Sequence, residues 1–139
     1  MSFRSIPTHE RKLYTEKKQK ALLLKAAYDQ AIERANAWNS LEKTMQEMIV
    51  PGASITHKSF GNGVIVKSED GLIVVDFGKH GTKTLGIASS FGGGFLQTGN
   101  KEFDALVSQN KTLLLDAKNI PARIKEAKRQ LIPYTEYLD

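Results

Sequence analysis

The chain has 139 residues, of which 40% are hydrophobic and 25% are charged, and its formal net charge is +5. This length suffices for one ordinary domain, or for a small domain with a helical attachment, and excludes two large domains. The chain has no cysteine, which excludes disulfides and thiolate metal sites and is typical of a reducing compartment. No apolar run approaches the roughly 20 residues of a membrane span, and the first residues lack the hydrophobic stretch of a signal peptide, so we expect a cytoplasmic protein that does not bind membranes.

Residues 1–49 are predicted to form one long N-terminal helix. From about Thr8 to Ile49 the chain contains neither glycine nor proline, and residues with high helix propensity dominate. Apolar side chains recur three and four positions apart and form one stripe, made of Leu24, Tyr28, Ala31, Ala35, Trp38, Leu41, Met45 and Met48. Such a helix would be on the order of 60 Å long, so its stripe must pack against another element.

The first half of this helix carries a cluster of positive charge. Its members are Arg11, Lys12, Lys17, Lys18, Lys20 and Lys25, with Glu10 and Glu16 as the nearby counter-charges. A cluster of this kind can follow a phosphate backbone, so these six residues are candidate nucleic-acid contacts. The alternative is a solvated helix face rich in lysine, which is the usual outcome on exposed helices.

Residues 50–98 have the pattern of short antiparallel strands. Ile73, Val75 and Phe77 alternate with residues of the opposite face, which is the period of two expected of a half-buried strand. Asp70-Gly71 lies between two β-branched runs and predicts a hairpin turn. Four or five such strands in fewer than fifty residues predict a small barrel of the SH3-like kind.

Residues 99–139 are predicted to form C-terminal helices. Helical spacing is found first in Phe103, Leu106, Val107, Leu113, Leu114 and Ala117, and again after Pro121 in Ile124, Ala127 and Leu131. We expect these helices to pack antiparallel against the long helix as a helical hairpin. The alternative is a homodimeric coiled coil of the long helix, although Ala31 and Ala35 are small for such a seam and Glu42 falls within the stripe. The predicted fold class is therefore α+β, with a small barrel flanked by the long helix and the C-terminal hairpin helices.

The central region carries a family resemblance as well as a strand pattern. The order and spacing of twelve residues over about residues 50–88 resemble the C-terminal Tudor-like domain of UvrD/PcrA-type bacterial DNA helicases: Gly52, Ile55, His57, Phe60, Gly61, Gly63, Val66, Val75, Phe77, Gly81, Lys83 and Leu85. In that family the module is an accessory to the motor and is associated with contacts to RNA polymerase and to DNA. This chain has no Walker A motif and no helicase motor. The resemblance therefore implies a Tudor-like barrel with a binding role, and no ATPase.

Nothing in the sequence predicts catalysis, a cofactor or a metal site. The stretch Phe91-Gly92-Gly93-Gly94-Phe95 lacks the Gly-Lys-Ser/Thr ending of a phosphate loop, so we expect a flexible or tightly turning loop. His9, His57 and His80 are far apart and have no carboxylate at ligand spacing. We interpret His57 as a structural strand residue and His80 as an exposed turn residue, and we expect no enzyme.

Two kinds of binding surface fit the barrel, and both use the same region. In the first, a protein partner binds through apolar anchors surrounded by lysines. In the second, DNA or RNA binds through lysines at the turns, with an aromatic ring stacked on a base. The candidate partner-binding residues are Lys58, Lys67, Lys79, His80, Lys83, Phe91 and Phe95.

The function predicted from the sequence is a non-enzymatic binding module. Its expected partner is a protein of the transcription or DNA-repair machinery, for which RNA polymerase or a DNA-processing enzyme are the examples that the resemblance implies. Direct DNA or RNA binding by the barrel lysines and the basic helix is the first alternative. A structural scaffold or inhibitor protein of a mobile element is the second.

Overall fold

The computed structural model describes residues 8–138 and has an α+β architecture. Contacts divide the chain into two compact units. One, the helical unit, combines the residues up to Ala35 with those from Asn119 onward. The other, the sheet unit, is the continuous segment Asn36–Lys118. Helix α1, Thr8–Met48, contributes residues to both units, and the predicted long N-terminal helix is thereby confirmed. Within the described residues, no helix is both long and apolar enough to cross a membrane.

The helical unit is an antiparallel hairpin of α1 and α5, Ile120–Leu131, with α5 continued by a 3₁₀ turn over Ile132–Tyr137. The rings of Tyr14 and Tyr137 meet edge-on with their centroids 5.6 Å apart. Farther along α1, Lys20 Nζ lies 5.2 Å from the centroid of the Tyr134 ring. Because rising numbers in α1 meet falling numbers in the C-terminal segment, the two run in opposite directions. The helical hairpin predicted from the sequence is therefore confirmed for α5.

The sheet unit contains one antiparallel sheet of five strands in the order β4-β3-β2-β1-β5. The strands are β1 Ser54–His57, β2 Gly61–Glu69, β3 Leu72–Asp76, β4 Thr82–Gly86 and β5 Leu96–Gln97. The sheet is curled into a half-barrel. In the part of the chain that the structure describes, no ladder joins the edge strands β4 and β5.

Two local features determine how β2 and β3 pair. Asp70 and Gly71 have φ values of 51° and 77°, so they form the two-residue turn with positive φ that a tight hairpin needs, as predicted. At Gly63, on β2, an added Cβ would lie 2.6 Å from Val75 Cγ1 and 2.7 Å from Phe77 Cδ1. Glycine is required there because the inward-facing side chains of β3 and of the residue after it fill the space above it.

The core of the sheet unit is formed by side chains that alternate along the strands with exposed ones. The buried strand residues are Ile55, Ile65, Ile73, Val75 and Leu96, with Phe77 directly after β3. Leu41 and Met45 at the end of α1, followed by Ile49, are buried in the same unit. Each such aliphatic side chain contributes about 1.5–3 kcal/mol when it leaves water.

Three further helices complete the sheet unit: α2 Ile87–Gly92, α3 Lys101–Gln109 and α4 Lys111–Asp116. Their buried residues include Phe91, Phe103 and Leu114. The stretch 91–95 is predicted from the sequence to be a loop, but its first two residues, Phe91 and Gly92, are the last two residues of α2. The sequence division into 1–49, 50–98 and 99–139 follows composition, whereas the contacts place α3 and α4 with the sheet and α5 with the first part of α1.

Candidate functional site

One end of the sheet gathers aromatic rings from three separate segments. At this end β1 turns into β2 and β3 turns into β4, and we call the cluster of His57, Phe60, Phe77, His80 and Phe95 the aromatic end. The centroid of the Phe60 ring lies 4.4 Å from His57, 5.3 Å from Phe77 and 5.9 Å from His80. The Phe95 ring is stacked on His57 with the centroids 6.1 Å apart. Residues that are far apart in sequence therefore form one aromatic cluster, in which His57 and Phe77 are buried whereas His80 and Phe95 are exposed.

His57 organises this end from within β1. Its side chain is only 8% exposed, and its Nδ1 accepts hydrogen bonds from the backbone N–H of Ser59 at 2.9 Å and of Phe60 at 3.2 Å. An acceptor at Nδ1 requires the neutral tautomer that carries its proton on Nε2. The imidazole thus holds the β1–β2 turn and orients Phe60. This placement agrees with the interpretation of His57 as a structural strand residue.

Three predicted lysines lie in or beside the aromatic end. Lys83 Nζ is 5.3 Å from the centroid of Phe60, within the range of a cation–π interaction. The backbone N–H of Lys58 donates to the carbonyl oxygen of Phe95 at 2.8 Å. Lys79 is exposed in the 3₁₀ turn Gly78–His80, next to the exposed ring of His80. The structure therefore brings together five of the seven predicted residues: Lys58, Lys79, His80, Lys83 and Phe95.

Phe95 is the largest exposed apolar side chain of this surface. It is 47% exposed, although its neighbour Leu96 is 3% exposed. With Thr56, Lys58, Gly94 and Gln97 it lines a shallow groove of about 270 Å³. An exposed ring bordered by a lysine and polar groups can anchor a partner.

Two predicted residues lie elsewhere. Phe91 is 2% exposed and packs edge-on against Phe103 with the ring centroids 4.8 Å apart, so it is a core residue and the prediction of a partner contact is wrong for it. Lys67 lies near the opposite end of β2, where its Nζ is 3.4 Å from Glu69 Oε1. The structure does not bring Lys67 to the aromatic end.

The six basic residues of α1 do not share one face. Arg11, Lys18 and Lys25 are seven positions apart and lie along one side of the helix. Lys17 and Lys20 point to other sides, and their Nζ atoms lie 5.8 Å from the Tyr137 ring centroid and 5.2 Å from that of Tyr134. Lys12 lies on yet another side, and Lys25 Nζ is 2.8 Å from Asp29 Oδ2. The six residues therefore do not form one basic stripe, and three of them share a side of the helix.

A second concave surface of the sheet unit was not predicted, and we call it the acidic groove. It measures about 470 Å³ and lies between the end of α1, the β2–β3 turn, α2 and α4. Its apolar walls include Trp38, Phe95, Leu114 and Leu115. Two carboxylates, Glu42 and Asp70, lie at one end of it, and Lys118 also lines it.

Glu42 and Asp70 meet because Gln46 ties the hairpin turn to α1. Gln46 Oε1 accepts from the backbone N–H of Gly71 at 3.3 Å, and Gln46 Nε2 donates to Ser68 Oγ at 3.0 Å. The Glu42 carboxylate lies so close to Gly71 that a Cβ there would be 2.9 Å from its Oε2. Burial, and secondly the negative charge of Asp70, raise the pKa of the Glu42 carboxyl. The signal in the sequence was an acidic residue within an apolar stripe.

The aromatic end and the acidic groove offer exposed apolar surface beside charged side chains. Within residues 8–138, no group of three histidine, aspartate or glutamate side chains is placed to hold a metal ion. No protein-family model, curated protein or solved structure matches the chain. The likeness of about residues 50–88 to the helicase Tudor-like domain therefore remains an expectation from the sequence.

Proposed function

We propose that the chain is a non-enzymatic binding module that contacts a protein of the transcription or DNA-repair machinery through the aromatic end. The single observation that carries this proposal is the half-exposed Phe95 ring, stacked on His57 and bordered by Lys58. RNA polymerase and DNA-processing enzymes are the partners that the helicase resemblance implies. We also propose a cytoplasmic location, for which the absence of cysteine is the support.

The aromatic end has the physical properties of an interface centre. Phe95 offers apolar area that a partner can bury, and its backbone is held by the hydrogen bond from Lys58. The rings behind it are packed on one another, so little conformational entropy is lost when a partner binds. Aromatic residues in such a position typically supply most of the binding free energy, with surrounding charges contributing less.

The strand order supports the barrel part of the proposal. In the order β4-β3-β2-β1-β5 the last strand returns to pair with the first, which is the connectivity of an SH3-like or Tudor-like barrel. We propose that the half-barrel corresponds to such a domain. Phe60, Phe77, His80 and Phe95 of the aromatic end would then lie in the connections between strands of such a barrel.

Direct binding of DNA or RNA is the second candidate function, and the exposed Phe95 ring also supports it. Phe95 lies beside Lys58, and a base stacked on the ring would place a phosphate near the ammonium group. We rank it second because the candidate cations at this end number few and Lys83 already lies over Phe60. Nor do the six basic residues of α1 form one stripe.

The two candidates are separated by one pair of measurements. The tagged chain is used to recover partners from an extract of its own cells, with and without nuclease, and its affinity for DNA and RNA is measured over a salt series. Nuclease-resistant recovery of transcription or repair proteins, without nucleic-acid affinity, supports the first candidate. Loss of every partner on nuclease treatment, together with DNA or RNA binding that falls steeply with salt, would replace it with the second.

A further inference from the structure

We propose that the acidic groove is a second binding site, which takes the side chain of a lysine or arginine from a basic peptide segment of a protein partner. The ammonium or guanidinium group would lie between Glu42 and Asp70, and its aliphatic stem along Trp38 and Leu115. This site shares the Phe95 ring with the aromatic end but has different charged residues, and it does not depend on the proposed function.

Charge is the first reason for this choice of occupant. Among the described residues, neither Glu42 nor Asp70 has an ion pair or a hydrogen bond to its carboxylate, and the two repel each other. Lys118, in the 3₁₀ turn Ala117–Asn119 directly after α4, also lines the groove but is not ion-paired with either acid. A cation between the two carboxylates would replace their repulsion with two attractions.

The surrounding charges leave the acidic end negative. On the neighbouring surface of α1 and the β2–β3 hairpin, the ionisable residues are Lys43, Glu47 and Glu69. Of these, Glu69 is 3.4 Å from Lys67 Nζ through its Oε1. Lys43 and Glu47, four positions apart on α1, carry opposite charges and cancel in the local net charge. Within the groove the two acids outnumber Lys118, so the local net charge is negative and attracts cations.

The walls of the groove are the second reason. Trp38 is half-buried, whereas Leu115 is 49% and Phe95 47% exposed, so the groove offers apolar surface leading to the acids. The side chains of lysine and arginine match this arrangement, because each has a long aliphatic stem and a charged tip. A free metal ion or an inorganic cation would leave the apolar walls uncovered. The volume of about 470 Å³ lies within the usual range of ligand sites.

The groove itself contains a reporter. The chain has one tryptophan, Trp38, so intrinsic tryptophan fluorescence comes from the groove wall alone. The probe is the peptide acetyl-Leu-Lys-Leu-amide, and its neutral counterpart carries norleucine in place of lysine. We expect both to alter the fluorescence saturably, with the lysine peptide bound roughly tenfold more tightly.

A double variant tests whether the difference in affinity between the lysine and norleucine peptides comes from the two carboxylates. Glu42→Gln with Asp70→Asn preserves size, and asparagine tolerates the positive φ of position 70. We expect this double variant to bind the lysine peptide roughly tenfold more weakly and the norleucine peptide unchanged. Glu47→Gln is the matched control, since Glu47 lies on the same helix outside the groove, and it should retain lysine-peptide affinity within about twofold.

Three outcomes would overturn the proposal. The first is equal affinity of the unmodified protein for the lysine and norleucine peptides, a comparison that needs no variant to fold. The second is an unchanged affinity of the double variant for the lysine peptide. The third is a Trp38 signal that depends on protein concentration alone, which would place a second copy of the chain in the groove.

Discussion

The aromatic end and the acidic groove belong to the same unit and share Phe95, yet they hold their charges differently. At the aromatic end a cation is satisfied inside the chain, since Lys83 Nζ lies 5.3 Å from the centre of the Phe60 ring. In the groove, Glu42 and Asp70 repel each other, and neither has an ion pair among the described residues. The first surface is thus suited to binding by burial of apolar area, and the second to binding by charge. Binding to the groove should therefore weaken more with salt.

The largest expected effect is on the free energy of unfolding, and it distinguishes the buried Phe91 ring from the exposed Phe95 ring that both surfaces share. Phe91→Ala removes a core ring packed on Phe103 and should lower the free energy of unfolding by about 3–5 kcal/mol. Phe95→Ala should cost less than about 1 kcal/mol, because the ring is half-exposed. Urea denaturation of the two variants measures both changes. Equal losses would mean that Phe95 is a core residue and that neither surface has the exposed anchor assigned to it.

The next effect concerns the support of the aromatic end. Gly63→Ala would place a methyl group against Val75 and the Phe77 ring, so we expect a loss of about 1–3 kcal/mol in the free energy of unfolding. Thr84→Ala, at an exposed position of β4, is the control and should change stability by less than about 0.5 kcal/mol. A stable Gly63→Ala variant would contradict the close packing of Phe77 on β2, on which the aromatic end rests.

A smaller effect is expected for the support of the acidic groove. Gln46→Ala removes the hydrogen bonds to Ser68 and Gly71 that tie the β2–β3 turn to α1, which should cost about 1–2 kcal/mol. Lys43→Ala, an exposed position of the same helix, should leave stability nearly unchanged. Thermal denaturation gives the comparison. If both variants behave alike, the turn is not held by Gln46 and the groove has no defined acidic end.

The smallest effect is a pH dependence that belongs to the groove alone. Because the pKa of Glu42 is raised in the folded protein above its ordinary value of 4.5, the folded state binds its proton more tightly than the unfolded state does. The contribution of Glu42 to the free energy of unfolding is therefore fully present below pH 4.5 and is lost as the pH rises through the raised pKa. Glu42→Gln should match the unmodified protein near pH 4 and be more stable near pH 7.

The size of this gain should stay below about 1 kcal/mol, since solvent screens a partly exposed carboxyl. Denaturation at a series of pH values gives the measurement, and Glu47→Gln is again the control. A stability difference that is constant with pH would contradict the assigned protonation behaviour of Glu42.

Local patterns in the sequence were sufficient for much of the fold. The hairpin at Asp70-Gly71 and the inward residues Ile73, Val75 and Phe77 follow from turn chemistry and a period of two, which depend on near neighbours. The helix α1 and the proline at the start of α5 follow in the same way. The predicted closed barrel depends instead on how far a curled sheet brings its edge strands together, which local patterns do not determine. The described sheet is a half-barrel.

The candidate sites were only partly predictable because they depend on tertiary contacts. Phe91 and Phe95 lie equally close to glycines in the sequence, and what distinguishes them is the packing of Phe103 on Phe91. Glu42 and Asp70 belong to a helix and a turn that are distant in sequence, and Gln46 brings them together. Neither periodicity nor residue spacing predicts a contact between residues so distant in sequence. The sequence does indicate Glu42 as unusual, because it is an acidic residue within an apolar stripe.

The central claim is that the aromatic end binds a protein partner, and substitutions at the two ends of the sheet test it most directly. The unmodified chain, the Lys83→Glu and Phe95→Ala double variant, and the Lys67→Glu control are compared for the proteins they recover from a nuclease-treated extract of their own cells. Lys67 is a suitable control because it lies on β2, away from the aromatic end. We expect transcription or repair proteins with the unmodified chain and the control, and their loss with the double variant. Equal recovery of the same proteins by all three chains would contradict the claim.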